Sequence, residues 1–104
     1  MIEAAESAQR FVAGKNRADL DRDPMLLFAL VRAIEIIGEA AAKITAEQRN
    51  ASSAVAWTAI VAMRNRLIHA YFDIDRDIVW RTVMEEIPAL RAQLLELLPP
   101  APAP

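Results

Sequence analysis

Eight consecutive residues, Arg64-Asn65-Arg66-Leu67-Ile68-His69-Ala70-Tyr71, hold most of what this chain offers for acid–base or phosphate chemistry. They include its only His and its only Tyr. They also lie in a gap in the acidic residues: no Asp or Glu occurs from Gln48 to Phe72, although the chain carries 14 carboxylates against 12 Lys and Arg. Arg49, Arg64, Arg66 and His69 all fall in that gap. Arginine supplies fixed donors for phosphate oxygens, and an imidazole moves protons near neutral pH. A local cation cluster with one titratable ring suits a phosphodiester-handling site. Spacing alone is also satisfied by a surface His near a helix end, with arginines complementing the helix dipole.

A helix advances about 100° per residue, so Asn65 and His69, four apart, fall one turn apart on one face. Arg64 and Tyr71, seven apart, also align. The four share one broad side, Arg66 points elsewhere, and Leu67 reads as a core contact.

The elements that must position them read as helices. Ile2 to Ala13 is a first helix, stopped by Gly14. Lys15 to Asp23 is a polar connection. Asp23 is a good N-cap and Pro24 fits the first helical position. They open a second helix to about Ile44, whose Leu27, Leu30, Val31, Ile34, Ile37, Ala41 and Ile44 recur at three- and four-residue steps. Thr45 with Gln48 resembles a capping box starting a short turn, and Asn50 to Ser53 reads as a loop. The third helix runs from Ala54 or Val55 to about Tyr71. Asp75 caps a fourth from Arg76, and Pro88 kinks it or starts a new one. The expectation is an all-α antiparallel bundle of four main helices plus short extra helices. It forms one domain over 1–98, with a disordered Pro/Ala tail over 99–104.

Gly38 inside the second helix costs about 1 kcal/mol relative to Ala, which points to close approach by the third helix. Glu35 and Glu39 share a face of the second helix. They read either as a solvated pair for Arg32 or Lys43, or as groups that orient Arg64 or His69. Trp57, Trp80, Met25, Met63 and Met84 read as core.

Composition narrows the function. Without Cys there is no disulfide or thiolate metal site, and one His makes a zinc site within one chain an unpromising reading. Met1-Ile2-Glu3-Ala4-Ala5-Glu6 is not the start of a signal peptide. No apolar run approaches the ~20 residues of a membrane span. The expected location is cytoplasmic. A formal charge of −2 argues against a general nucleic-acid coat, though not against a local basic site.

Arg64-x4-His69-x-Tyr71 resembles the RX4HXY signature of the HepT-like branch of the HEPN superfamily, the toxins of two-gene toxin–antitoxin modules. Ile34-Glu35-Ile36-Ile37-Gly38-Glu39-Ala40 resembles that family's other recurrent segment. Trp57, Met63 to His69, Tyr71-Phe72 and Val79-Trp80 follow its usual order, so the likeness spans about residues 1 to 95. Ala70 departs from the Gly that many relatives carry there. The resemblance implies a HEPN-like bundle and a metal-independent endoribonuclease without cofactor, dimeric, with its cleft at the two-fold axis. It assigns Arg64 and His69 as catalytic and Asn65 as a supporting polar residue. It makes Tyr71 the residue to which an MntA-type nucleotidyltransferase antitoxin transfers AMP, silencing the toxin.

Metal-free RNA cleavage needs a base, an acid and stabilisation of the charged phosphorane. One subunit with one His cannot supply two imidazoles, so the expected active site exists only in a dimer. A different reading keeps the fold and drops the chemistry: a helical partner of a nucleotidyltransferase, in which Arg64, Asn65 and His69 hold a nucleotide phosphate.

Overall fold

The computed structural model describes residues 1–52, 55–69 and 74–97, with backbone alone at Ile68 and His69. Helix α3 (Pro24–Ala42) is the centre of the fold, with most of the other helices packed against it. Asp23 accepts a hydrogen bond from the Leu26 amide at 3.2 Å, and Pro24 occupies the first turn. This start signal costs no backbone donor, since proline has none to satisfy. Leu26, Leu27, Leu30, Ala33, Ile34, Ile37 and Ala41 are buried along it.

Helix α1 (Ile2–Val12) packs on α3 through Ala5 and Ala8, both fully buried and small enough for close approach. Gly14 follows with φ +73°, a left-handed value that glycine adopts at no steric cost. The next stretch is more ordered than a polar connection. It contains α2 (Asp19–Arg22), started by reciprocal bonds between Asn16 and Asp19 (2.7 and 3.2 Å) and plugged into the core by Leu20.

Beyond α3, Thr45 and Gln48 form both bonds of a capping box, each 3.1 Å. Helix α4 (Ala46–Ala51) then continues through good helix formers, so Asn50 and Ala51 are helical where a loop was expected. Arg49 donates to the Ala41 carbonyl at 3.1 Å, capping the end of α3. Helix α5 (Trp57–His69) begins later than its apolar pattern suggests, and its expected end near Tyr71 lies outside the described residues. Trp57 is buried and its indole N–H donates to the Ser52 carbonyl at 3.2 Å. Ala70, Tyr71 and the 99–104 tail lie outside the described residues.

Asp75 accepts from the Asp77 and Ile78 amides and opens α6 (Arg76–Arg81). Pro88 falls in the first turn of a new α segment, one of the two outcomes its position allows. A single π-helical turn, Thr82–Glu86, absorbs it, and α7 (Ile87–Leu97) follows directly. The Ile87 amide bonds the Thr82 carbonyl five residues back. This widened register accommodates a residue that has no N–H and whose ring crowds the preceding turn. Val79, Val83, Ile87, Leu90 and Leu94 complete the core. The first helix, α3, α5 and the α6–π–α7 run are the four main helices, and no strand occurs among the described residues.

Two methionines expected in the core are not there. Met25 is 81% and Met84 46% exposed, whereas Met63 is buried. The inward face of α3 is taken by Leu26, Leu27 and Leu30, which turns Met25 outward beside Phe28. Trp80 is only partly buried at the core's edge, and Leu95 is exposed.

Candidate functional site

Arg64 lies on the α3-facing side of α5, and Gly38 determines where its side chain goes. A methyl group at residue 38 would overlap Cβ and Cγ of Arg64 and come within 3.2 Å of its Cδ. The arginine stem therefore lies in the slot that the missing side chain leaves, as the sequence suggested for that glycine. We expect Gly38→Ala to destabilise the fold by about 1–3 kcal/mol, despite the helix-propensity gain of about 1 kcal/mol. Urea denaturation would show it. An unchanged or higher midpoint would mean that α5 shifts without cost.

The guanidinium is held at two points. Its Nη1 donates to Asn65 Oδ1 at 3.0 Å, and its Nη2 lies 3.7 Å from Glu39 Oε1. Its Nε is buried without a hydrogen-bond partner among the described residues. The side chain remains 26% exposed. The Glu39 contact is long and half-solvated, worth under about 1 kcal/mol. Arg64 is thus oriented while its charge stays available to an incoming anion.

The two acidic residues differ in their partners. Glu35 pairs with Arg32 at 3.3 Å, on the solvated face. Glu39 lies between Arg32 (3.8 Å) and Arg64 (3.7 Å). No ion pair to Lys43 is found among the described residues.

Asn65 and His69 stand one turn apart on α5, so the helix itself brings the imidazole-bearing position beside the Arg64–Asn65 pair. Tyr71 lies outside the described residues. Arg49, another cation of the acid-free stretch, has its guanidinium spent on the fold, at the C-terminus of α3.

The structure also brings forward the outer face of α3, where Phe28 and Ile36 are exposed beside residues already named. Met25, Phe28, Arg32, Glu35, Ile36 and Glu39 fall within about 100° of arc on the outer side of α3. Phe28 is 64% exposed, and Ile36 is also exposed. An apolar stripe crossed by charges thus runs along α3 up to the helix edge where Arg64 sits. Its periodicity was present in the sequence, offset from the core stripe by nearly half a turn.

Comparison with known proteins bears on this arrangement. The family model described as "Ribonuclease HepT-like" matches residues 1–97. A Caldanaerobacter subterraneus subsp. tengcongensis protein named "Putative RNase TTE0752" is 44% identical over 87 residues, covering 84% of this chain and 78% of that protein. "Probable ribonuclease HepT" of Thermococcus cleftensis is 37% identical over 97 residues, covering 93% and 88%. "Putative RNase MJ1380" of Methanocaldococcus jannaschii is 33% identical over 94 residues, covering 90% and 86%. No solved structure matches the chain at a significant level.

Proposed function

Since the chain belongs to the HepT-like ribonuclease family, we propose that it is the toxin of a type VII toxin–antitoxin module, a metal-independent endoribonuclease acting in the cytoplasm. The observation that carries this reading is Arg64: seated in the Gly38 slot, oriented by Asn65 and Glu39, and still open to solvent five residues before the position of His69.

The chemistry follows from those groups. A ribose 2′-oxygen attacks the adjacent phosphorus as a base removes its proton. The 2′-O–P bond forms and the P–O5′ bond breaks, while an acid protonates the departing 5′-oxygen. The products are a 2′,3′-cyclic phosphate and a 5′-hydroxyl. Arg64 stabilises the charge that builds on the phosphorane oxygens. His69 is the group able to take or give the proton.

One His per chain provides either the base or the acid in a neutral pair, so the site is completed by a second copy across a two-fold axis. The outer stripe of α3, with exposed Met25, Phe28 and Ile36, supports that surface as the dimer contact, because it meets Arg64 at Glu39. An isologous contact there would bring two Arg64 and two His69 toward one cleft.

Tyr71 follows the last described residue of α5 by two positions. AMP placed on its hydroxyl by an MntA-type nucleotidyltransferase, the toxin's partner and assembled with it in a larger hetero-oligomer, would put a phosphate and a nucleoside where RNA enters. Repulsion and steric block would both stop cleavage. With that antitoxin and ATP, wild-type protein should gain the mass of one AMP and lose activity. Tyr71→Phe should gain no mass and keep cleaving. Modification of the Phe variant at another residue, with the same loss, would refute this role for Tyr71.

A further inference from the structure

We infer that Arg66 and Arg81 form a second phosphate-binding subsite, one that holds a neighbouring backbone phosphate of the RNA and not the scissile one. The inference rests on the ribonuclease reading above and extends it to substrate binding.

A concavity of about 240 Å³ lies between α5, α6 and the π turn, with Arg66, Ile78, Arg81 and Glu86 among its lining residues. Its floor is firm. Met63 and Thr82 are buried there, and the Thr82 hydroxyl donates to the Met63 sulfur at 3.3 Å. Arg66 and Arg81 are both exposed. Among the described residues neither arginine makes an ion pair, whereas Arg17, Arg32, Arg64, Arg76 and Arg91 each do. Among the described residues Glu86 is the one carboxylate on the lining, and it pairs with neither arginine. Two unpartnered guanidinium groups at one small basin are suited to an anion with several oxygens. The volume is below that of a site for a whole drug-sized ligand and suits a single phosphodiester unit.

Helix geometry separates this basin from the scissile phosphate. Arg66 lies about 200° around α5 from Arg64, beyond the position of His69, which is about 140° around from Arg64. It lies only about 60° around, and one turn before, the position of His69. A strand whose scissile phosphate sits by Arg64 and His69 would therefore cross the Arg66 side of α5 with an adjacent nucleotide. The exposed site of α6 that carries Arg81 continues that track.

The test uses the intact unmodified protein and a fluorescent single-stranded 12-mer whose 2′-oxygens are methylated and so cannot attack. Binding is followed by anisotropy across a salt series. Arg66→Gln/Arg81→Gln should bind about tenfold or more weakly at low salt, with a slope of log K against log salt shallower by about 0.7, the share of the one phosphate that the two arginines hold. Arg66→Lys/Arg81→Lys keeps both charges and should keep the wild-type slope. On cleavable RNA the Gln pair should raise KM and leave kcat within about twofold. Unchanged affinity and slope in the Gln pair would overturn the subsite, as would a fall in kcat at unchanged KM. Wild-type protein that neither binds nor cleaves RNA would instead remove the ribonuclease reading on which the subsite depends.

Discussion

His69→Ala should lower RNA cleavage by about 10²–10⁴-fold, the usual cost of removing a positioned acid–base group. The fold should be retained, because the core is built by α1, α3, the Trp57, Met63 and Leu67 face of α5, and the α6–α7 run. The wild type should show a bell-shaped pH profile between about pH 5 and 9, since an imidazole changes charge in that range. At the acid end both rings of the dimer are protonated and no base remains. At the alkaline end both are neutral and no acid remains. Either a flat profile or a fully active Ala variant would contradict the proposed role of His69.

Phe28→Asp should convert a dimer to a monomer and abolish cleavage while preserving helical content. Phe28 is 64% exposed in the isolated chain, so replacing it removes little buried surface within one subunit. Such substitutions usually change monomer stability by within about 0.5 kcal/mol. At an isologous contact the same change places a carboxylate twice in one apolar patch, once per subunit, at a desolvation cost that a small interface cannot absorb. Light scattering reads the mass and a labelled RNA reads the activity. A monomer cleaving at the wild-type rate would refute the shared site. A dimer that survived the substitution would place the contact on another face.

Much of this organisation was legible in the residues. The Asp23-Pro24 start and the Leu27 to Ala41 stripe define α3, because cap chemistry and period agree there. Gly38 could be read as a close approach because an interior helical glycine is costly without one. The Glu39–Arg64 contact was legible only as one of two options, since it depends on the register of α3 against α5, which no single helix pattern contains. Helix α2 escaped notice because four residues with one buried Leu show no period. The π turn before Pro88 could not be read either: a kink, a break and a π turn all satisfy a residue without an N–H. Met25 was misassigned because apolar identity was weighed and its angular position was not. Tyr71 rests on resemblance alone, since it lies outside the described residues.

The central claim is that two copies of this chain cleave RNA through Arg64 and His69 without a metal. The most direct measurement incubates total RNA in EDTA with wild-type protein and with His69→Ala. Both are first shown to be folded dimers, and the wild type is shown by intact mass to carry no AMP. The account predicts fragments ending in 2′,3′-cyclic phosphate from the wild type alone. Intact RNA in both samples, across several RNA classes, would contradict it and favour a nucleotide-binding role for the Arg64–Asn65–His69 face.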